Sequence, residues 1–247
     1  MDMELRSRRP AFIAIAWPAI PLLLMACRDS GDYWSPTEPV PLSAEQEKIA
    51  SDMAPIRIDA RPESWPGGIT IEFTATPLRL EIENRGSDPV LIRYSDFKVY
   101  AAPTWSEFSA LPVFPIESKD TGPVAPGKLP RMTVQAYPPI RDPLFQFRNF
   151  RVAPYLRSLY PDIPVHDGPF PYDRTYNQRL SEYWQYTKLP NLEMMRRALP
   201  EGVLYPAGWL EGWLYFQKFE PMPAGTLVVS LTDTSGRAMQ PIRIPIQ

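Results

Sequence analysis

The side chains that could most readily form a binding or reactive site lie in the aromatic run 209–216. Four residues of this run fall on one face of an extended strand: Trp209, Glu211, Trp213 and Tyr215. Two tryptophans beside a carboxylate can stack on a sugar while the carboxylate accepts a hydrogen bond from a hydroxyl group. The opposite face is also apolar, and such a strand must be covered on both sides. Two interpretations stay open: an exposed binding face, or a core strand covered by a helix carrying Tyr183 and Trp184.

Other reactive groups lie in the proline-rich region 138–173. His166 is the single histidine of a chain with one cysteine, so acid–base or nucleophilic catalysis would depend on carboxylates. Asp162, Asp167 and Asp173 offer the oxygen ligands that Ca²⁺ prefers, but they lack the short spacing of calcium loops. We therefore predict no catalytic residue, no cofactor and no metal site.

Composition limits the functional classes. The chain has 247 residues, of which 44% are hydrophobic and 22% charged, as is typical of a globular protein. The formal net charge of -2 argues against a nucleic-acid partner, because binding to phosphates requires a basic surface. The 32 prolines favour many short elements, since proline is excluded from helix interiors and central strands.

Hydrophobic alternation predicts a mainly β domain over residues 69–247. Apolar and polar residues alternate in several runs, among them 69–74, 78–83 and 131–137. We count roughly seven to nine short strands with turns at the spacing of a sandwich. A helical pattern interrupts them at about 174–199, where apolar residues recur every three or four positions. The sequence predicts an antiparallel β-sandwich with a small helical insertion.

The N-terminal segment has the pattern of an export signal. Basic residues within the first nine positions precede an apolar stretch at 11–26, which is shorter than the roughly 20 residues that cross a bilayer comfortably. The stretch ends at Leu24-Met25-Ala26-Cys27, and polar sequence follows at once. The alternative is an uncleaved N-terminal anchor helix.

This tetrapeptide resembles the lipobox of bacterial lipoproteins. In that family the cysteine thiol receives diacylglycerol, the preceding peptide is removed, and the new amine is often acylated with chains such as palmitate. The resemblance implies a signal peptide at 1–26, lipidation of Cys27, and a position on the inner or outer membrane facing the periplasm. Residues 27–68 are then a proline-rich tether, either a plain spacer or one interrupted by a short helix at 46–53.

A second resemblance covers about residues 69–247. A turn at 84–89 separates two early strands, and a Pro-Gly turn within 199–208 leads into a glycine–aromatic strand at 212–216. This order is similar to immunoglobulin-like domains of uncharacterised bacterial lipoproteins. It implies an immunoglobulin-like sandwich and carries over no catalytic residues.

These observations lead us to expect a lipid-anchored, non-enzymatic module for binding or assembly in the cell envelope. Its partner would be an envelope protein or polymer. The alternative is a carboxylate-based enzyme acting on envelope glycans, using Glu211 or Asp167; it requires an open groove with two carboxylates about 5–10 Å apart. A third possibility is a chaperone-like domain that offers an edge strand to a client.

Overall fold

The computed structural model describes residues 54–68, 70–114, 116–118, 132–134, 138–185, 187, 189–219 and 225–246. The expected signal peptide, Cys27 and the helix at 46–53 lie outside these residues. Within them the mainly β sandwich with a small helical part is confirmed. None of the helices in this part of the chain is long and apolar enough to cross a membrane.

The described residues form twelve strands and two α-helices. The strands are β1 (Ile56–Arg61), β2 (Ala75–Asn84), β3 (Val90–Ile92), β4 (Phe97–Ala101), β5 (Ser106–Ser109), β6 (Ile116–Ser118), β7 (Met132–Val134), β8 (Gln146–Val152), β9 (Gly202–Gln217), β10 (Gly225–Val229), β11 (Thr232–Asp233) and β12 (Ile242–Ile246). The helices are α1 (Arg174–Ser181) and α2 (Leu192–Arg197), and single 3-10 turns occur at Tyr94–Asp96, Pro154–Leu156 and Glu182–Trp184.

The first sheet is organised around the long strand β9. The second half of β9 pairs antiparallel with β2, which pairs in turn with β1. The first half pairs with β3, and β3 pairs with β11. Strand β8 pairs antiparallel with β9 as well. Because β9 contacts three neighbours, it fixes the position of most of this sheet.

The second sheet has the order β12-β10-β4-β5 and is antiparallel throughout. Its inward residues include Phe97, Val99, Leu227 and Val229, all fully buried. They alternate with half-exposed residues, as expected for strands with one face in the core and one in solvent. Strands β6 and β7 form a separate two-stranded sheet.

Strand β9 runs unbroken across a position where a turn was expected. The structure continues the strand through Pro206 and Ala207, and Ala207 has a left-handed φ of 56°. The neighbouring strand β8 shifts register at Asn149, whose φ is 48°, and the Asn149 side chain donates to the Pro206 carbonyl. Such paired irregularities let proline sit within a sheet, because the ladder is interrupted there.

The sandwich starts earlier than the expected boundary at residue 69. Residues 56–61, expected to belong to the tether, form β1 and pair in register with β2 from Ile56↔Asn84 to Arg61↔Arg79. Ile56 and Ile58 are buried, which anchors this strand to the core. This short alternating run was not predicted as a strand because residues 27–68 are rich in proline.

Both α-helices begin at a capping residue that sequence reasoning missed. The Asp173 carboxylate accepts from the Tyr176 backbone N–H at 2.8 Å, and the Asn191 side-chain oxygen accepts from the Met194 N–H at 2.8 Å. The helical pattern at about 174–199 indicates a helical region but does not identify the residues that cap its helices. An Asx cap satisfies an otherwise unpaired N–H group at the first turn, which fixes where each helix starts.

Candidate functional site

The structure closes much of the expected aromatic face to solvent. Trp213 is 6% exposed and Tyr215 is 1% exposed. Trp65 packs edge-on against both, with ring centroids 5.4 and 5.6 Å away. The Arg197 guanidinium group lies 5.7 Å from the Trp65 ring, on the α2 side. A segment expected to be a tether therefore covers half of the predicted binding face.

Helix α2 and the residues after it complete this cover. The Tyr215 hydroxyl donates to the Met194 carbonyl at 3.1 Å, and the Leu199 N–H donates to the Trp213 carbonyl at 2.9 Å. The intervening Gly212 permits this approach, since a Cβ there would lie only 3.3 Å from the Leu199 side chain. The helical insertion thus covers β9, as one of the two interpretations required.

The side chains expected to make that contact lie elsewhere. The Trp184 indole donates to the Pro112 carbonyl at 2.8 Å, and the Tyr183 hydroxyl donates to the Thr74 carbonyl. Neither residue docks on Trp209 or Trp213. Helix periodicity predicts that Trp184 is buried. Its hydrogen-bond partner depends on the path of the loop at 111–114, which periodicity does not show.

Trp209 and Glu211 belong to a charged network on the outer side of the first sheet. Glu211 forms an ion pair with Arg79, which also contacts Glu63 at 3.0 Å. The Trp209 indole donates to Glu81 at 2.8 Å. Because each of these polar groups already has a partner, the four predicted residues do not form an open platform.

His166 lies in a small surface cluster. Its Nδ1 is 2.9 Å from the Tyr205 hydroxyl. Arg151 lies 5.3 Å from the centre of the Tyr205 ring and pairs with Asp167 at 2.9 Å. Partial burial lowers the pKa of His166, so the imidazole is neutral at pH 7. Asp167, the second candidate carboxylate for catalysis, is held in the ion pair with Arg151.

The three aspartates considered for Ca²⁺ have separate partners. Asp162 lies 3.7 Å from Arg141, Asp167 pairs with Arg151, and Asp173 caps α1. Over the described ranges, no group of three or more histidine, cysteine, aspartate or glutamate residues could hold a metal ion.

A buried acid that the sequence did not identify lies at the start of β9. Glu201 is buried where β9 begins, and its carboxylate accepts from the Tyr94 N–H at 2.9 Å and from the Tyr155 hydroxyl. Burial raises the pKa of Glu201 to about 7, although both hydrogen bonds oppose that rise. The carboxyl is enclosed by the core and out of reach of a substrate, so we assign it to stability.

A second buried acid, Asp96, lies two residues after Tyr94 in the sequence. Asp96 accepts from the Arg93 side chain at 2.6 and 3.1 Å. Burial raises the pKa of Asp96 to about 6, and the Arg93 contacts limit the rise. The pair forms the 3-10 turn between β3 and β4, so its role is to link the two sheets.

The second sheet carries a surface pocket of about 330 Å³ on its outer face. Five residues line it: Tyr100, Trp105, Thr226, Val228 and Arg243. Tyr100 and Thr226 are direct cross-strand partners, as are Val228 and Arg243. Trp105 lies in the β4–β5 turn, has a left-handed φ of 52° and is 57% exposed. Most tryptophans of proteins are largely buried, whereas Trp105 leaves an aromatic ring accessible to solvent at this pocket.

Charged groups next to the pocket orient its lining. Glu107 accepts from the Tyr100 hydroxyl at 2.8 Å and pairs with Lys98 at 2.8 Å. The Lys98 ammonium group holds the pKa of Glu107 below its usual value. Arg243 is exposed and has no ion-pair partner in the part of the chain that the structure describes. The sequence signal for this site was a tryptophan in a turn beside a proline, which alternation patterns overlook.

No protein-family model, no curated protein and no solved structure matches this chain.

Proposed function

We propose that this protein is a lipid-anchored binding module of the bacterial cell envelope that faces the periplasm and acts through its surface pocket. The observation that carries the binding role is the pocket lined by Tyr100, Trp105 and Arg243. Aromatic rings and a cation recognise ligands, and the five lining residues that the structure describes include no carboxylate that could act as an acid or base.

The anchoring role rests on the N-terminal sequence. A basic start, an apolar stretch and Leu24-Met25-Ala26-Cys27 support lipid attachment to Cys27. Two or three acyl chains, each gaining about 0.8 kcal/mol per buried CH₂, hold a protein durably at a membrane. Residues between Cys27 and β1 then separate the sandwich from the lipid surface.

A catalytic role finds less support in the geometry. Glu211 is paired with Arg79, and Asp167 is paired with Arg151. Each carboxylate would have to leave a cation before it could protonate or attack a glycosidic bond. Binding without chemistry is therefore the function that these residues favour.

Anchoring is tested by fractionating a Gram-negative host that expresses the full chain. The wild type is expected in the membrane fraction, with a diacylglyceryl cysteine as its first residue by mass spectrometry. Cys27→Ser is expected to retain residues 1–26. The matched control, Cys27→Ser combined with Ser30→Cys, restores a thiol three residues away and should not restore lipidation. Intact residues 1–26 on the wild-type protein would refute the anchor.

Binding is tested by crosslinking in living cells followed by purification of the full chain. The wild type is expected to retain an envelope polymer or protein that Trp105→Ala loses. Phe73→Ala removes another exposed aromatic side chain, 87% exposed and outside the pocket lining, and should leave the captured material unchanged. Equal capture by both variants would exclude the pocket as the binding surface.

A further inference from the structure

We propose that the pocket on the second sheet is a subsite for a carboxylate-bearing sugar residue of an acidic glycan. The proposal rests on the binding role given above and adds the chemical class of the ligand. It follows from three properties of the pocket: two aromatic side chains, a small volume, and a guanidinium group that forms no ion pair with any residue the structure describes.

The aromatic side chains give the pocket its apolar walls. Trp105 rises from the β4–β5 turn, and Tyr100 lies on β4 beside it. The Tyr100 hydroxyl is held by Glu107, so the ring is fixed in one orientation before a ligand arrives. Rings presented in this way suit the C–H faces of a pyranose, which are apolar while the sugar's edges carry hydroxyl groups. Thr226, the cross-strand partner of Tyr100, contributes a hydroxyl group to the lining.

The charge around the pocket selects an anion. Lys98, Arg179 and Arg243 act electrostatically on Tyr100 or Glu107, and Glu107 is the one acid that these interactions involve. Lys98 and Glu107 neutralise each other at 2.8 Å. Arg243 on the edge strand β12 keeps its charge uncompensated by any ion pair with a described residue. A guanidinium group binds a carboxylate through two parallel hydrogen bonds, which a neutral sugar cannot accept.

The dimensions of the pocket limit its occupant to one sugar residue at a time. A volume of about 330 Å³ lies at the lower end of the roughly 300–1,000 Å³ of small-molecule sites. The site is on the outer face of a sheet rather than between domains, so a longer chain can run past it on both sides. We therefore expect the pocket to hold one acidic residue of a polymer and to leave the rest of the polymer free.

The experiment compares two tetrasaccharides by titration calorimetry with the full chain in detergent micelles. The acidic probe alternates glucuronic acid and N-acetylglucosamine; the neutral probe contains four N-acetylglucosamine units. We expect saturable binding of the acidic probe that is at least tenfold tighter than that of the neutral probe. Raising the salt concentration should weaken the acidic probe's binding and leave the neutral probe's binding unchanged.

Four variants locate the site. Trp105→Ala should abolish binding of both probes, and Arg243→Gln should weaken the acidic probe about tenfold while sparing the neutral one. Phe73→Ala and Arg57→Gln, which alter exposed residues of matched type outside the pocket lining, should bind as the wild type does. Circular dichroism of each variant verifies the fold.

The outcomes separate this inference from the binding role on which it rests. Equal binding of both probes, lost in Trp105→Ala, would overturn the acidic class and leave the pocket as a binding site. Binding that neither pocket variant changes would overturn the location. An absence of binding to either probe would overturn the inference, and the crosslinking experiment would then decide the binding role independently. Preference for the acidic probe that Arg243→Gln removes would support it.

Discussion

Trp65 packs edge-on against Trp213, with ring centroids 5.4 Å apart and ring planes 83° from each other. The contact joins the segment that follows β1 to the longest strand of the protein. This contact buries aromatic residues of β9 that would otherwise face solvent, so they form part of the core. The same indole lies beside Arg197, so strand β9, helix α2 and the segment around Trp65 meet at one side chain.

Removing this side chain should destabilise the domain strongly. Trp65→Ala leaves a cavity over Trp213 and Tyr215, and buried tryptophan-to-alanine changes cost about 3–5 kcal/mol. Urea unfolding followed by circular dichroism measures the loss. Trp105→Ala is the matched control, since an exposed tryptophan should change the free energy of unfolding by about 0.5 kcal/mol or less. Equal losses would show that Trp65 is not part of the core.

Glu201 should make the protein less stable as pH rises toward neutrality. Its folded-state pKa is about 7, above the ordinary value of 4.5, so the folded state holds the proton more tightly. Stability from this group is complete below pH 4.5 and is lost as pH rises through 7, by on the order of 3 kcal/mol. Glu201→Gln keeps a neutral group of the same shape and should remove most of the slope between pH 6 and 7.

Urea midpoints measured at half-unit pH intervals test this expectation. Asp96, with a pKa of about 6, contributes a loss of the same sign at lower pH, so the variant should retain a slope below pH 6. A wild type whose stability rises between pH 6 and 7, or a variant with an unchanged slope in that range, would contradict the assignment.

Asn84 should hold the β2–β3 turn against β9. Its fully buried side chain donates to the carbonyls of Asp88 at 2.9 Å and Leu204 at 3.0 Å, and accepts from the Gly86 N–H at 3.0 Å. Asn84→Ala leaves these backbone groups without partners and should cost about 1–3 kcal/mol in a urea titration. Asn84→Asp should cost more at pH 8, because a buried carboxylate oxygen would face two carbonyls. An aspartate variant as stable as the wild type would disprove this role.

Arg79 should matter more than other arginines on the same face. It is shared by Glu63 and the mostly buried Glu211, so Arg79→Gln should cost about 1.5–3 kcal/mol. Arg61 pairs with Asp59 in a more exposed position, and Arg61→Gln should change stability much less than Arg79→Gln does. Thermal melts of both variants at low and high salt compare the two, and a larger loss at Arg61 would contradict the network.

The sheets could be predicted because their residues follow a local rule. Strand β2 alternates buried and half-exposed residues from Leu78 to Asn84, and a matching alternation can be seen in the amino-acid sequence. The early start at Ile56 was missed because alternation over only six residues is a weak signal beside the many prolines of that region. The capping residues Asp173 and Asn191 were missed because several polar residues compete for each cap, and only the helix path selects one.

The sequence by itself determined that Trp209, Glu211, Trp213 and Tyr215 share one strand face, because side chains alternate along any extended chain. It also determined the sandwich class and presents the lipobox-like motif that ends at Cys27. Only the tertiary structure decided which aromatic groups meet solvent. Trp65 and α2 cover Trp213 from distant parts of the chain, while Trp105 stays exposed beside Tyr100. The exposure of a strand face depends on which segments pack against it. Such packing joins residues that are far apart in sequence, so a local sequence pattern cannot predict it.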